Sequence, residues 1–193
     1  MLGAGAGPVM IAYLVLLGAV AFQRVLELVI SRRNVRTAFA RGGFEVGQRH
    51  YGVMMFFHTA FLLSCAAEAI WLHRPFPGAA GFAAFAGVLL AQALRYWAIA
   101  TLGWRWNTRV IVVPGEPPVT SGPYRFVRHP NYLAVIAEIL LLPLVHGAWV
   151  TALAFSVGNA VLLQVRIRSE EEALGSTYAS AFARRPRFIP LRR

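Results

Sequence analysis

The chain contains no lysine and no aspartate, and only one cysteine, Cys65. A lone cysteine inside an apolar run excludes a disulfide framework and a cysteine-built zinc cluster. No G-x-G-x-x-G stands between a strand and a helix, so nothing announces a Rossmann-type nucleotide fold. Internal repeats and low-complexity tracts are absent. Acids are scarce as well: eight glutamates face nineteen arginines, for a formal charge of +11. Such a balance can serve nucleic acid, but these arginines are spread between apolar segments rather than gathered on one soluble face. No nucleic-acid partner is expected; the arginines read as topology signals and as contacts for acidic ligands.

What the chain has in abundance is apolar surface. At 193 residues and 58% hydrophobic content it is long enough for one domain and too apolar for an ordinary soluble one. The expected fold class is all-α: a multi-pass transmembrane helical protein with about five spans. Stretches near the ~20 residues that cross a bilayer run from Pro8 to Ile30, Tyr51 to Leu72, Ala79 to Leu102 and Tyr132 to Val165. The last is too long for one crossing, and Pro143 and Gly147 in "PLVHGAW" divide it into a helical hairpin. The first stretch lacks a basic leader and is read as a retained span rather than a signal peptide. Arginines cluster after span one (Arg32, Arg33, Arg36, Arg41, Arg49), before span four (Arg105, Arg109, Arg125, Arg128) and in the tail (Arg166, Arg168, Arg184, Arg185, Arg187, Arg192, Arg193). By the positive-inside rule these segments face the cytoplasm across a cell (inner) membrane, with the N-terminus outside. "SRRNVRTAFARGGFEVGQRH" is expected to form a short interfacial helix and a turn. "SEEEALGSTYASAFARRPRFIP" is expected to form a cytoplasmic C-terminal helix with Ser169 as a candidate N-cap.

Two polar clusters carry candidate chemistry. In "GPYRFVRHPNY", Pro130 suits the first turn of a helix, the tyrosines suit a membrane interface, and the arginines suit lipid phosphates. The histidine is not needed for that, and His129, Tyr124 and the free amides of the helix start would equally cradle a polar ligand. In "RIRSEEEAL", Arg166 and Glu170 lie four residues apart, as do Arg168 and Glu172, and each pair can bond on one helix face. The hairpin brings both clusters to one rim, where they can converge into a pocket. Within the spans, pairing of Arg24 with Glu27 and of Arg95 with Glu138 is structural or functional with equal warrant, and Glu68 belongs to the same group. His50 and His58 have no third ligand nearby, so no metal is expected, and His146 reads as incidental in the outer turn.

"VTSGPYRFVRHPNYLAVIAEILLLPL" followed by "RIRSEEEAL" resembles the isoprenylcysteine carboxyl methyltransferase family of integral membrane enzymes. The likeness covers the chain from Leu102 onward. Upstream, "RVLELVISRRNVRTAFARGGFEVGQRHY" and "LGWRWNTRVIVVPG" resemble the bacterial branch that O-methylates alkylpyrones and alkylresorcinols made by type III polyketide synthases. The resemblance implies S-adenosylmethionine as cofactor, with His129, Pro130, Asn131 and Tyr132 lining it and Tyr124 beside it. It further implies backbone contacts from Glu116, Pro117, Pro118 and Val119, an acidic contact from Glu170, and an acceptor-facing Arg166. The linker "VIVVPGEPPVTSG" departs from the eukaryotic members. Residues 1–193 would form a single membrane domain, in which 103–132 and 166–193 make the cytoplasmic cofactor-binding part. Methyl transfer to an anionic oxygen needs positioning more than a strong base, so Arg166 alone is expected as the catalytic group. The implied partners are a lipophilic acceptor with an acidic head (an alkylpyrone, an alkylresorcinol or a prenylcysteine-like carboxylate), membrane lipid, and a type III polyketide synthase supplying substrate. Phospholipid N-methylation, a small transporter lined by the intramembrane charges, and a lipid-binding scaffold are the rival functions.

Overall fold

A computed structural model describes residues 7–188; residues 1–6 and 189–193, including Arg192 and Arg193, lie outside the described residues, as do the side chains of 48–50, Arg49 and His50 among them. Five helices follow one another: α1 (Pro8–Ala40), α2 (Gln48–Trp71), α3 (Ala79–Leu102), α4 (Pro130–Leu144) and α5 (Trp149–Ala181). Four of them are long and apolar enough to cross a membrane, and α4 is a shorter apolar helix of 15 residues. The chain is therefore an all-α, multi-pass membrane protein. Its one sheet is a two-stranded antiparallel ribbon, β1 (Phe44–Val46) against β2 (Val110–Val112), which the apolar pattern does not reveal.

Helix ends fall where sequence chemistry puts them. Pro8 and Pro130 open α1 and α4, where a missing N–H costs nothing. Pro143 stands in the last turn of α4, and Gly147 at φ 71° turns the chain into α5, giving the expected hairpin. Two boundaries differ from expectation. The segment after Ile30 is not a separate interfacial helix: α1 runs through it to Ala40 and breaks at Gly42, φ 79°. Its buried face docks on the α3–α4 linker instead of lipid, with Asn34 Nδ2 donating to Trp106 O at 2.7 Å and Ser31 Oγ lying 2.8 Å from Thr108 Oγ1. Ser169 caps no helix either. Residues 165–172 are good helix formers with nothing to stop them, so α5 continues and Ser169 Oγ donates to Val165 O within it. The break comes later, at Gly175, whose φ of 68° leaves the helical region.

The core lies between α1, α2, α3 and α4, around Tyr13, Leu17, Phe61, Cys65, Val88, Ile139 and Leu142. Small residues on α3 let α4 approach closely: a Cβ at Gly81 would stand 2.8 Å from Val145 O, and one at Gly87 2.6 Å from Leu141 Cδ1. Large apolar side chains such as Phe22, Phe56, Phe82, Leu90 and Leu153 remain on the outside, as a lipid-facing surface requires.

Four charges inside the spans, Arg24, Glu27, Arg95 and Glu138, form one network. Glu27 accepts from Arg95 Nε at 2.6 Å and from Arg24 Nη1 at 2.9 Å, and Arg24 also pairs with Glu138. Arg24 thus pairs with Glu27 as expected, whereas Arg95 takes Glu27 rather than Glu138. The other oxygen of Glu138 is occupied by Gln92 Nε2 at 2.8 Å. Glu68 stands apart at the opposite end, accepting from the Val150 and Thr151 amides and from Arg74, so it caps α5. His146 is not incidental: it is buried and stacks on Tyr13 with ring centroids 5.2 Å apart.

Candidate active site

Where α4 begins, the bundle opens into a cavity of about 500 Å³, walled by the α3–α4 linker, the start of α4 and the far half of α5. The two polar clusters converge here. Glu116, Pro117, Pro118, Val119, Tyr124, His129, Asn131, Tyr132, Arg166 and Glu170 all lie on its wall. Pro130 does not; it is fully buried behind the wall as the first residue of α4.

Arg166 and Glu170 share a helix face but do not pair directly. Tyr132 stands between them, donating its hydroxyl hydrogen to Glu170 and accepting from Arg166 Nε at 2.8 Å. The other guanidinium nitrogens reach Thr108 O at 2.7 Å and Met54 Sδ at 3.2 Å. No carboxylate within ion-pair distance of Arg166 is found among the described residues. A half-buried guanidinium satisfied only by neutral groups is a standing attraction for an anion.

Just before α4 two amides are already taken, while those of Asn131 and Tyr132 in its first turn are not among the bonded ones. Arg128 N donates to Pro186 O at 2.9 Å and His129 N to Arg187 O at 3.1 Å, because the segment after α5 folds back across them. The same segment brings Phe182 beside Tyr178, ring centroids 4.6 Å apart, and both line the cavity with Tyr124. Burial raises the Tyr124 phenol above its ordinary pKa, so it stays protonated.

The linker is strapped down from outside. Glu116 pairs with Arg105 and, at 3.3 Å, with Arg41, and the Arg105 hydrogen bond holds its carboxyl below the usual range. Such pairing contributes above the ordinary carboxylate pKa and fades only as pH falls through the lowered one. Gly122, φ 54°, lets the chain pass Thr101, whose side chain a Cβ would strike. Gly122→Ala is expected to cost about 1–3 kcal/mol, read as a lowered unfolding midpoint in detergent. Four buried polar atoms of residues on the cavity wall have no partner among the described residues: Arg105 Nε, Trp106 Nε1, Asn107 Oδ1 and Asn131 Oδ1.

Sequence reasoning missed Trp106, Asn107, Leu174, Tyr178 and Phe182. Part of the signal was present, since Arg166, Glu170, Leu174 and Tyr178 recur every fourth residue. The glycine break between the last two conceals that they face one ligand-sized space.

An apolar helical bundle with a ligand-sized cavity at one end defines an integral membrane protein with a binding site for a small molecule. The chain belongs to the isoprenylcysteine carboxyl methyltransferase family, whose model matches residues 82–176. It is 42% identical over 159 residues to the uncharacterized protein YpbQ of Bacillus subtilis, an alignment spanning 82% of this chain and 94% of that one. An uncharacterized protein of Haemophilus influenzae is 29% identical over 156 residues, 80% of this chain and 90% of its own. The cobalt-zinc-cadmium resistance protein CzcN of Cupriavidus metallidurans is 31% identical over 107 residues, 54% of this chain and 46% of its own. The protein is thus a membrane methyltransferase, and S-adenosylmethionine is its methyl donor.

Proposed function

We propose that this enzyme O-methylates a lipophilic acceptor with an acidic head, of the alkylpyrone or alkylresorcinol type or a prenylcysteine-like carboxylate. The observation that carries the reading is Arg166: a cation on the cavity wall, bonded among the described residues only to Tyr132, Thr108 and Met54, suits an anionic oxygen. A type III polyketide synthase is the proposed source of a pyrone or resorcinol acceptor. The acceptor's tail would stay among the apolar helices while its head reaches Arg166.

The cavity suits the methyl donor by size and by donor set. About 500 Å³ accommodates a nucleoside-sized ligand, and the unpartnered Asn107, Asn131 and Trp106 atoms offer bonds to its polar groups. Proposed donor contacts are the backbone of Glu116, Pro117, Pro118 and Val119, with Tyr124, His129, Asn131, Tyr132 and Glu170. Pro130 would contribute by fixing the helix start rather than by touching the ligand. When bound, S-adenosylmethionine supplies an electrophilic methyl group to the acceptor oxygen. The chain's part is to hold: Glu170 offers negative charge to a cationic ligand, Arg166 orients the acceptor anion, and Tyr132 fixes the two relative to each other. The aromatic wall excludes water, and no general base is needed for an acceptor that arrives ionised.

Residues 103–132 and 166–193 are proposed as the donor-binding part of a single membrane domain. Arginine placement supports a cytoplasmic opening in the cell (inner) membrane, where the soluble donor is made. Glu170→Gln tests the assignment. It is expected to weaken S-adenosylhomocysteine binding by about ten- to a hundredfold in calorimetric titration, the value of one charge-assisted contact. Unchanged affinity in a folded variant would sink it.

A further inference from the structure

Glu171 lies next to Glu170 in the chain but does not line the cavity, because consecutive helical residues point about 100° apart. Behind the wall its carboxylate gathers three groups. Oε1 lies 3.0 Å from His129 Nε2 and accepts from Arg187 Nε at 3.1 Å; Oε2 accepts from Arg187 Nη2 at 2.5 Å. Arg128 Nη1 stands 3.9 Å away. The His129 ring is also enclosed on its faces, stacked on Tyr132 at 5.3 Å with Tyr178 and Phe188 each at 6.4 Å. Only its remaining edge can address the cavity.

We propose that Glu171 is a positioning residue for the donor pocket: it locks the His129 ring and at the same time holds, behind the pocket's wall, the C-terminal segment that continues from the wall residue Phe182. The proposal rests on the methyl-donor reading of the cavity. An ionised carboxylate only accepts, so the hydrogen of His129 sits on Nε2, and in the neutral ring Nδ1 is the acceptor. Rotation of the ring is blocked by the aromatic neighbours, and a turned ring would give up the Nε2–Oε1 contact. The second half of the device is the tail. Arg187 is tied to Glu171 by two bonds, the Pro186 and Arg187 carbonyls take the Arg128 and His129 amides, and Arg128 Nε donates to Arg185 O at 2.6 Å. One carboxylate thus joins the helix that carries Arg166, the helix that carries Tyr132, and the segment that follows Phe182. A tail that detaches would release His129 as well.

The test separates positioning from mere anchoring. Full-length protein in detergent is titrated with S-adenosylhomocysteine as wild type, Glu171→Ala, Glu171→Gln, and the double variant Glu171→Arg with Arg187→Glu. Glu171→Ala is expected to lose about tenfold or more in affinity and to expose the bond after Arg184 to trypsin, with Glu171→Gln intermediate as the better-folded check. The double variant restores the ion pair but not the carboxylate on α5 that faces His129. It should therefore regain trypsin resistance without regaining affinity. In 15N-histidine NMR, His129 should show a single fixed Nε2-protonated tautomer in wild type and signals averaged between the two tautomers in Glu171→Ala. Wild-type affinity in Glu171→Ala, or full recovery of affinity in the double variant, would overturn the proposal by reducing Glu171 to a bystander or a tail anchor. A wild type that fails to bind S-adenosylhomocysteine would instead remove the donor reading on which both stand.

Discussion

Replacing Arg166 with lysine is expected to reduce methyl transfer to a long-chain alkylpyrone by about a hundredfold while changing S-adenosylhomocysteine affinity only a few-fold. The reason is geometric. Arg166 spends its three nitrogens in three directions, on Tyr132, Thr108 O and Met54, and is held in plane by them. A lysine keeps the charge but offers one nitrogen on a flexible stem, so it can either keep the Tyr132 contact or follow the acceptor. An acceptor oxygen displaced by an ångström loses the alignment that transfer requires. Donor binding draws mainly on the other wall and should survive. The paired measurements are turnover and titration on one purified preparation. Turnover near wild type would remove the acceptor role, and equal losses in both assays would mean that the Tyr132 linkage, and with it the cavity, has collapsed.

The second large effect concerns stability. Glu27→Leu is expected to destabilise the folded protein by about 3–5 kcal/mol, because it leaves two buried guanidinium groups short of an acceptor. Arg95 loses its only ion-pair partner among the described residues, and Arg24 keeps only Glu138. Removing all four charges together, Arg24, Glu27, Arg95 and Glu138, should recover most of that loss, since a neutral network exchanged for apolar side chains forfeits little. Thermal unfolding in detergent reads both variants. If the single substitution melts with wild type, the network contributes nothing to holding α1, α3 and α4 together.

Much of the fold was legible because bilayer-spanning helices write themselves as long apolar runs, and the α4–α5 turn is marked by Pro143 and Gly147. Less legible were the points where a helix leaves lipid without ending. Charged residues such as Arg32, Arg33 and the glutamates at 170–172 look like a boundary, yet arginine and glutamate are good helix formers and carry α1 and α5 onward. Partner choice within the spans was also hidden. Arg95 finds Glu27 rather than Glu138 because Gln92 and Arg24 reach Glu138 first, and that ordering depends on helix rotation rather than on spacing. At the site, the motif residues were readable one by one, whereas the tail's return over the start of α4 was not. Backbone bonds from residues 128 and 129 to 186 and 187 leave no trace in side-chain pattern.

The shortness of α4 has a consequence for where the chemistry happens. Fifteen residues rise about 22 Å, some 8 Å less than a typical hydrocarbon core. Arg166, counted from the start of α5 at the α4–α5 turn, stands only about 25 Å along its helix. A helix that short cannot complete a crossing alone, so the irregular chain around residues 126–129 would have to share it, which such backbone tolerates only beside a cavity and not against lipid. The cavity would then form a dimple reaching down into the bilayer. An amphiphile of ordinary length can then present its head to Arg166 without rising out of the membrane, and a thicker bilayer would bury the mouth of that dimple rather than stretch the protein to meet it.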